Sequence, residues 1–260
     1  MIREITIAAK NVLLGGNIKA LSFLNKPQDG VLYAGECLFL ERLMHPNGDL
    51  PQKCVWEAFG TSSDIPVILN PVALAHWFNP VSSYQADIIA LSLLCGIVKP
   101  KRIFEIGTLY GSSALQMALN APAAEVFTLD LEGSAHLSTT EVDRRHVAEG
   151  QKKRLVFAGL PEEQRIKALY GDSAIFDFGP FHNSIDLFYI DGAHSYEYVK
   201  NDTMKALRCV REGGIIAWHD YGRCGVNGVS KWLNQLRTEG NNLYRIPGGS
   251  LAYMTAGRQR

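Results

Sequence analysis

The chain has 260 residues and a mass of 28.7 kDa, enough for one large domain or for a domain with an appendage. Lys+Arg and Asp+Glu each total 26, so the formal charge is zero, which argues against a nucleic-acid or anionic-membrane partner. Five cysteines without a C-x-x-C pair exclude a zinc ribbon, and no apolar run reaches 18 residues. With no signal-peptide pattern at the N-terminus, these features predict a cytoplasmic protein that does not enter a membrane.

Residues 1–80 differ in pattern from the rest of the chain. Turn signals such as His45-Pro46-Asn47-Gly48 and Asn79-Pro80 follow each other closely, with short apolar runs between them. We therefore predict an N-terminal appendage of short helices and irregular segments over 1–80 that covers a site or an interface, and a main domain over 81–260. The apolar content of the appendage leaves a homo-oligomer open.

From about residue 82 the chain alternates between helical periodicity and short apolar runs. The first helix is predicted at 83–98, because its apolar residues recur at helical spacing until Lys99-Pro100. Five apolar runs predict strands: 102–107, 125–131, 168–173, 185–191 and 213–220. Helical patterns between them predict helices: 112–121, 196–211, 228–239 and a charge-rich segment before the third strand, whose mixed charges predict a solvated face.

The chain ends in two further strand candidates, 243–247 and 250–256, which predict a hairpin around Gly248-Gly249. Strands alternating with helices predict an α/β fold with a mostly parallel sheet, helices on both faces and an antiparallel edge. In such sheets ligands bind outside the carboxyl ends of the strands. Polar residues of functional type collect at these ends: Glu105, Gly107, Asp130, Asp172, Asp191, His194, His219 and Asp220.

The loop after the first strand reads E-I-G-T-L-Y-G-S-S from residue 105, with G-x-x-x-G in place of the dinucleotide pattern G-x-G-x-x-G. Glu105 would repel a pyrophosphate, which disfavours a nicotinamide dehydrogenase, but it can attract an ammonium or a sulfonium. Asp130 suits the two hydroxyls of a ribose, and Asp172-Ser173 can hydrogen-bond an adenine edge. An amino acid with a cationic centre, a ribose and an adenine together describe S-adenosylmethionine.

With VFTLDLE, YGDS and YIDGAHSY downstream, this loop resembles class I S-adenosylmethionine-dependent methyltransferases over about residues 82–256. IDGAHSYEYVKND followed by REGGIIAWHDY is similar to small-molecule O-methyltransferases of the macrocin and cephalosporin-biosynthesis group. The resemblance implies a Rossmann-like seven-stranded sheet with one antiparallel strand. It places Gly107 and Gly111 at the methionine end of the cofactor, Asp130 at the ribose and Asp172 at the adenine. The predicted cofactor-binding residues are Glu105, Gly107, Thr108, Gly111, Ser112, Ser113, Asp130, Leu131, Gly171, Asp172, Ser173 and Asp191.

A second group of polar residues follows the fourth and fifth strands. If these strands are neighbours, Asp191, His219 and Asp220 converge, and two carboxylates with an imidazole form a divalent-metal site. A metal lowers the pKa of an acceptor hydroxyl, and a histidine can take its proton. The resemblance implies that the Asp-x-x-His motif supplies one ligand, Asp191, and the catalytic base, His194.

One departure from the metal-dependent relatives is His219-Asp220, where those enzymes carry Glu-Asp. Three interpretations stay open: a metal softer than Mg²⁺, such as Mn²⁺, a second base without a metal, or a hydrogen bond within the sheet.

The leading hypothesis is methyl transfer to a hydroxyl of a small-molecule acceptor, a sugar or a phenol. The alternatives are a non-heme metal-dependent oxygenase that uses His194, His219 and one of the two aspartates, and a non-catalytic S-adenosylmethionine-binding protein.

Overall fold

The computed structural model describes residues 50–60, 65–71, 84–150, 154–223, 226–247 and 249–257, and its centre is a seven-stranded sheet. The strand order is β3-β2-β1-β4-β5-β7-β6. Only β7 runs antiparallel to its neighbours. The strands are β1 Arg102–Ile106, β2 Glu125–Asp130, β3 Ile166–Tyr170, β4 Ile185–Ile190, β5 Val210–Trp218, β6 Tyr244–Arg245 and β7 Ala252–Thr255.

Helices lie on both faces of the sheet, as predicted. The α-helices are α1 Val55–Phe59, α2 Tyr84–Val98, α3 Ser112–Asn120, α4 Glu141–Gly150, α5 Tyr196–Cys209 and α6 Asn227–Thr238. Short 3-10 helices cover Pro161–Arg165 and Gly179–Phe181. Helices α1, α2 and α3 contribute to one core cluster and α5 and α6 to the other. The prediction of a Rossmann-like, mostly parallel sheet with one antiparallel strand is confirmed.

Side-chain alternation along the central strands explains the two cores. In β1, Phe104 and Ile106 face the α5–α6 side, while Ile103 packs on the α2–α3 side. The six residues of β4 are all buried, as expected of a central parallel strand covered on both faces. Strands β1 and β4 are the point where the strand order reverses, so the ligand crevice of this fold lies at their carboxyl ends.

The strand bounds differ from the predictions mainly at glycines. Strand β5 begins at Val210, although Gly213 and Gly214 argued for a start at 213. The pairing register with β4 shifts between Ile185 and Leu187, and Gly213 adopts a φ of 76° opposite this irregularity. Strand β3 covers 166–170 instead of 168–173, because Gly171 ends it with a φ of 151°. The terminal strands pair as predicted, while Gly248 lies outside the described residues.

Residues 50–60 and 65–71 of the predicted appendage belong to the same compact unit as the sheet. Gln52 forms a bridge to Arg245 of the edge strand β6. The amide side chain of Asn120 donates to the carbonyl of Ile68 at 2.9 Å. The rest of 1–80 lies outside the described residues, so the appendage and its boundary at residue 80 stay a prediction. Within the described part of the chain, no helix combines the length and apolar character that a membrane span requires.

Candidate functional site

The loop between β1 and α3 lies directly against the end of β4. Gly107 adopts a φ of 105°, and its N–H donates to the carbonyl of Leu129 at 2.8 Å. A β-carbon at this position would lie 2.0 Å from the carbonyl oxygen of Asp191, so only glycine fits. Gly111 is the N-cap of α3 with a φ of 77°, and a β-carbon there would lie 2.5 Å from the ring of Phe157. The two predicted glycines therefore shape a turn that brings the helix N-terminus to the crevice.

Glu105 lies beneath this loop and is fully buried. Its carboxylate accepts hydrogen bonds from the hydroxyls of Ser113 and Thr128, the latter at 2.5 Å. Burial raises the pKa of Glu105 to about 8 despite these hydrogen bonds, and the negative charges of Asp191 and Asp130 add to the rise. Glu105 thus braces the loop from inside, and its predicted contact with a ligand stays a prediction.

Asp130, at the end of β2, faces the same loop. One carboxylate oxygen accepts from the N–H of Leu109 at 3.1 Å, and the other accepts from the N–H of Leu131 at 3.0 Å. Burial raises the pKa of Asp130, and the two backbone N–H groups oppose that rise. Its side chain is only partly exposed, as expected of a carboxylate held at the edge of a crevice.

Three small polar side chains complete the loop. The hydroxyl of Thr108 lies 2.7 Å from that of Thr128. Ser113 is buried and engaged by Glu105, whereas the buried hydroxyl of Ser112 has no hydrogen-bond partner among the described residues. A buried, unpartnered hydroxyl at a helix N-terminus is a group that a ligand can satisfy.

Asp172, at the end of β3, is buried and fully engaged by the protein. It accepts from the N–H and ring Nδ1 of His136 at 2.6 and 2.8 Å, from the hydroxyl of Tyr198 at 2.9 Å and from the N–H of Ala174 at 2.8 Å. Burial opposes its charge, but these donors lower the pKa of Asp172 overall. Ser173 beside it is buried, and Gly171 is partly exposed. The predicted contact of Asp172 with an adenine therefore stays a prediction.

Strands β4 and β5 are neighbours, and they bring the predicted metal residues together. Nδ1 of the buried His219 lies 3.1 Å from Oδ1 of Asp191 and 3.0 Å from Oδ1 of Asp220. Asp220 adopts a φ of 63°, a conformation that is uncommon outside glycine and is concentrated at functional sites. Burial opposes the charged form of His219, but the carboxylates of Asp191 and Asp220 raise its pKa well above the ordinary value.

His194 lies between two carboxylates. Its Nδ1 lies 2.5 Å from Asp143 and its Nε2 lies 2.7 Å from Asp220. Burial opposes the charge on the ring, yet hydrogen bonds to both carboxylates raise the pKa of His194 to about 10. Carboxylates thus engage both ring nitrogens of His194, and Nε2 becomes available to another group only when Asp220 releases it.

Two acidic residues at this site are not among those predicted from the sequence. Asp143, in the first turn of α4, holds His194, although the charge-rich segment predicted only a solvated face. Its signal was Thr140-x-x-Asp143, a capping pattern in which Asp143 accepts from the N–H of Thr140 at 2.6 Å. Asp87, in α2, lies 3.2 Å from Nε2 of His219. Its signal was a single acid in an otherwise apolar helix.

The donor set at the end of β4 and β5 fits a divalent metal. One imidazole nitrogen and two carboxylate oxygens, from His219, Asp191 and Asp220, lie within 4.8 Å of one another. Arg223 also donates to Oδ1 of Asp220 at 2.6 Å, and the second lone pair of that oxygen is left for a metal. His194 lies outside this cluster, so the described residues do not assemble the two-histidine set that the oxygenase alternative needs.

Known proteins resemble this chain in sequence over the region that contains the candidate site. Residues 104–221, which include the candidate site from Glu105 to Asp220, match a family described as a methyltransferase domain. The uncharacterized protein y4gI of Sinorhizobium fredii (strain NBRC 101917 / NGR234) is 28% identical over 166 residues, 61% of this chain and 17% of that protein. The chain therefore spans about a sixth of the length of this curated relative.

Solved structures are similar in fold. The methyltransferase PaMTH1 of Podospora anserina, solved with S-adenosylhomocysteine bound, is 17% identical, with 74% of this chain and 89% of that chain covered and a TM-score of 0.52. The O-methyltransferase of Bacillus cereus, also in complex with S-adenosylhomocysteine, is 20% identical, with 71% and 87% covered and a TM-score of 0.46. The chain thus shares its fold with the methyltransferase PaMTH1, and residues 104–221 match a methyltransferase domain.

Proposed function

We propose that this protein is an S-adenosylmethionine-dependent O-methyltransferase that acts on a hydroxyl of a small molecule of the sugar or phenol type. One observation carries the proposal: the Gly107 loop lies between two strand-end carboxylates, Asp130 and Asp191, at the reversal of strand order. Both carboxylates are close enough to Glu105 to raise its pKa. The match of residues 104–221 to the methyltransferase domain supports the same conclusion.

The charge of the crevice favours a cationic cofactor over a dinucleotide. Carboxylates around the Gly107 loop attract a sulfonium and an ammonium but repel a pyrophosphate. We assign the ribose hydroxyls to Asp130, and the methionine end to the loop from Gly107 to Gly111 and the N-terminus of α3. S-adenosylmethionine would supply the reactive methyl group on its sulfonium.

The acceptor side of the proposal uses the second cluster. Asp191, His219 and Asp220 would hold a divalent cation, which as a Lewis acid lowers the pKa of a hydroxyl and orients it. Asp143 orients His194 by accepting from both its backbone N–H and its ring. We assign to Nε2 of His194 the removal of the hydroxyl proton, once Asp220 has turned away from it.

The cofactor assignment is tested by calorimetric titration of S-adenosylmethionine, S-adenosylhomocysteine and NADH into the full chain. We expect binding of both adenosyl compounds and none of NADH. Asp130→Asn should weaken binding roughly 10–100-fold, because a charged acceptor for two hydroxyls is lost. The exposed Asp177→Asn is the matched control. Binding of NADH in place of the adenosyl compounds would contradict the proposal.

The chemistry is tested with methyl-labelled S-adenosylmethionine and a panel of phenols, catechols and sugars. We expect transfer to a hydroxyl of at least one acceptor class. His194→Gln should lower turnover by roughly 100-fold or more, since proton removal by a positioned base contributes about that factor. Its affinity for S-adenosylhomocysteine should stay at the wild-type value. Equal turnover of the variant and the wild type would refute the role of His194.

A further inference from the structure

We propose that Asp87 is a positioning residue that fixes the ring of His219 so that Nδ1 binds the metal, and that the site therefore selects a transition ion over Mg²⁺. The inference rests on the metal-assisted part of the proposed function. Oδ2 of Asp87 lies 3.2 Å from Nε2 of His219, on the side of the ring opposite Asp191 and Asp220. The imidazole thus lies between an acidic anchor and the candidate ligands.

Asp87 is itself held in one orientation. Oδ1 accepts from the N–H groups of Ser250 and Leu251 at 2.7 and 3.0 Å, and Oδ2 accepts from the hydroxyl of Ser250 at 2.7 Å. The chain between β6 and β7 closes tightly on this carboxylate, because a β-carbon on Gly249 would lie 2.0 Å from Oδ1 of Asp87. The anchor is therefore held in the packing between α2 and the residues directly before β7.

The geometry has a direct consequence for the ring of His219. Both ring nitrogens face carboxylates, Nδ1 those of Asp191 and Asp220 and Nε2 that of Asp87. A metal held by Asp191 and Asp220 would take the place of the hydrogen on Nδ1, and Nε2 would remain as the N–H that faces Asp87. This is the arrangement in which a carboxylate behind a metal-binding histidine sets its tautomer and orientation.

The donor set then decides the class of metal. Mg²⁺ prefers oxygen ligands and loses water reluctantly, whereas Mn²⁺, Co²⁺ and Zn²⁺ accept an imidazole nitrogen. With His219 held as a nitrogen donor, one of three protein ligands is unsuited to Mg²⁺. We infer that Co²⁺ and Zn²⁺ bind more tightly than Mn²⁺, and Mn²⁺ more tightly than Mg²⁺.

The inference is tested by metal binding in the full chain, without turnover. Co²⁺, Zn²⁺, Mn²⁺ and Mg²⁺ are titrated against a chromophoric chelator with wild type, Asp87→Asn and Asp186→Asn. Asp186 is a matched control, since it is also a largely buried acid that accepts from the N–H groups of Lys101 and Arg102, at 2.7 and 2.8 Å, but it lies at the opposite end of β4. We expect Asp87→Asn to weaken Co²⁺ and Zn²⁺ binding roughly 10–100-fold. Asp186→Asn should leave it unchanged.

A second background separates positioning from general destabilisation. His219→Ala removes the ligand on which Asp87 acts, so adding Asp87→Asn should change metal affinity less than about twofold. Equal losses with and without His219 would overturn the inference. So would equal losses in the Asp87 and Asp186 variants, or tighter binding of Mg²⁺ than of Mn²⁺ to the wild type.

A measurement on the wild type keeps the inference testable even if Asp87→Asn does not fold. Long-range proton–nitrogen correlation spectra of the zinc-loaded protein should show the Nε2 of His219 protonated and its Nδ1 shifted by the metal. Zinc bound at Nε2 would overturn the inference. S-adenosylhomocysteine is titrated into the same samples. If S-adenosylhomocysteine binds but no transition metal does, this inference alone is overturned. If a transition metal binds but S-adenosylhomocysteine does not, the cofactor part of the proposed function is overturned instead.

Discussion

Glu105→Gln should make the protein more stable at alkaline pH, although it replaces a side chain in the middle of the core. Glutamine has nearly the same shape as a protonated glutamic acid, and the hydroxyls of Ser113 and Thr128 can rotate to pair with it. The pKa of Glu105 rises from 4.5 in its ordinary state to about 8 in the fold. At about 1.4 kcal/mol for each tenfold change, this corresponds to a ceiling of about 5 kcal/mol.

The sign follows from proton uptake. Between pH 4.5 and about 8, Glu105 is ionised in the unfolded chain but keeps its proton in the fold. Folding therefore takes up a proton, and the contribution of Glu105 to the free energy of unfolding falls as the pH rises through this window. Above about pH 8 Glu105 is ionised in both states, and the free-energy cost of keeping its charge buried in the fold no longer changes with pH. The variant lacks this penalty, so its advantage should be near zero at about pH 4.5 and reach about 2–5 kcal/mol near pH 9.

The assay is urea unfolding followed by tryptophan fluorescence at several pH values, with the difference between variant and wild type as the readout. Taking this difference cancels the titration of every other group. Glu125→Gln, at the exposed first position of the neighbouring strand β2, is the matched control for the loss of a carboxyl group. A difference for Glu105→Gln that is constant with pH, or that favours the wild type near pH 9, would refute a protonated, buried Glu105.

Three further substitutions test the packing around the site. Gly107→Ala should abolish binding of S-adenosylhomocysteine by calorimetry and lower the melting temperature, because its methyl group would lie 2.0 Å from a carbonyl oxygen at the end of β4. Thr203→Val should cost about 2–5 kcal/mol in urea unfolding, since its hydroxyl accepts from the buried indoles of Trp218 and Trp232, at 3.0 and 2.9 Å. Thr203→Ser should retain most of that stability. Arg165→Met should cost about 1–3 kcal/mol, because the guanidinium donates to three carbonyls at and just beyond the end of α3, and a smaller loss for Arg165→Lys would agree with that role.

Local sequence patterns were sufficient for the fold because each element carries its own signal. The apolar run of β4 is buried on both faces, and its neighbours β1 and β5 are followed directly by Gly107 and by His219-Asp220. The alternation of strands and helices then restricts the connections to a few topologies. The exact start of β5 was missed, because Gly213 lies in a pairing irregularity that depends on the partner strand.

The residue types of the candidate site were also determined by the sequence, since strand ends can be located from the pattern. Asp191, His219 and Asp220 were predicted to meet if two strands were neighbours, and β4 and β5 are. Which groups surround them was decided only by the tertiary structure. Asp87 and Asp143 come from helices far away in the chain, and no local pattern specifies which side chain a distant helix presents to a strand end.

The state of each charged group was likewise decided by packing. The sequence places Glu105 and Asp172 at strand ends, but burial and long-range hydrogen bonds give them opposite outcomes, a raised pKa for Glu105 and a lowered one for Asp172. His194 was predicted as a base, and only the tertiary structure brings Asp143 and Asp220 to its two ring nitrogens, where they raise its pKa. Periodicity is a property of neighbouring residues, whereas a pKa depends on every charge and donor within a few ångströms. The sequence therefore determined the fold and the residue types that follow its strands, and the tertiary structure determined which groups surround each of them.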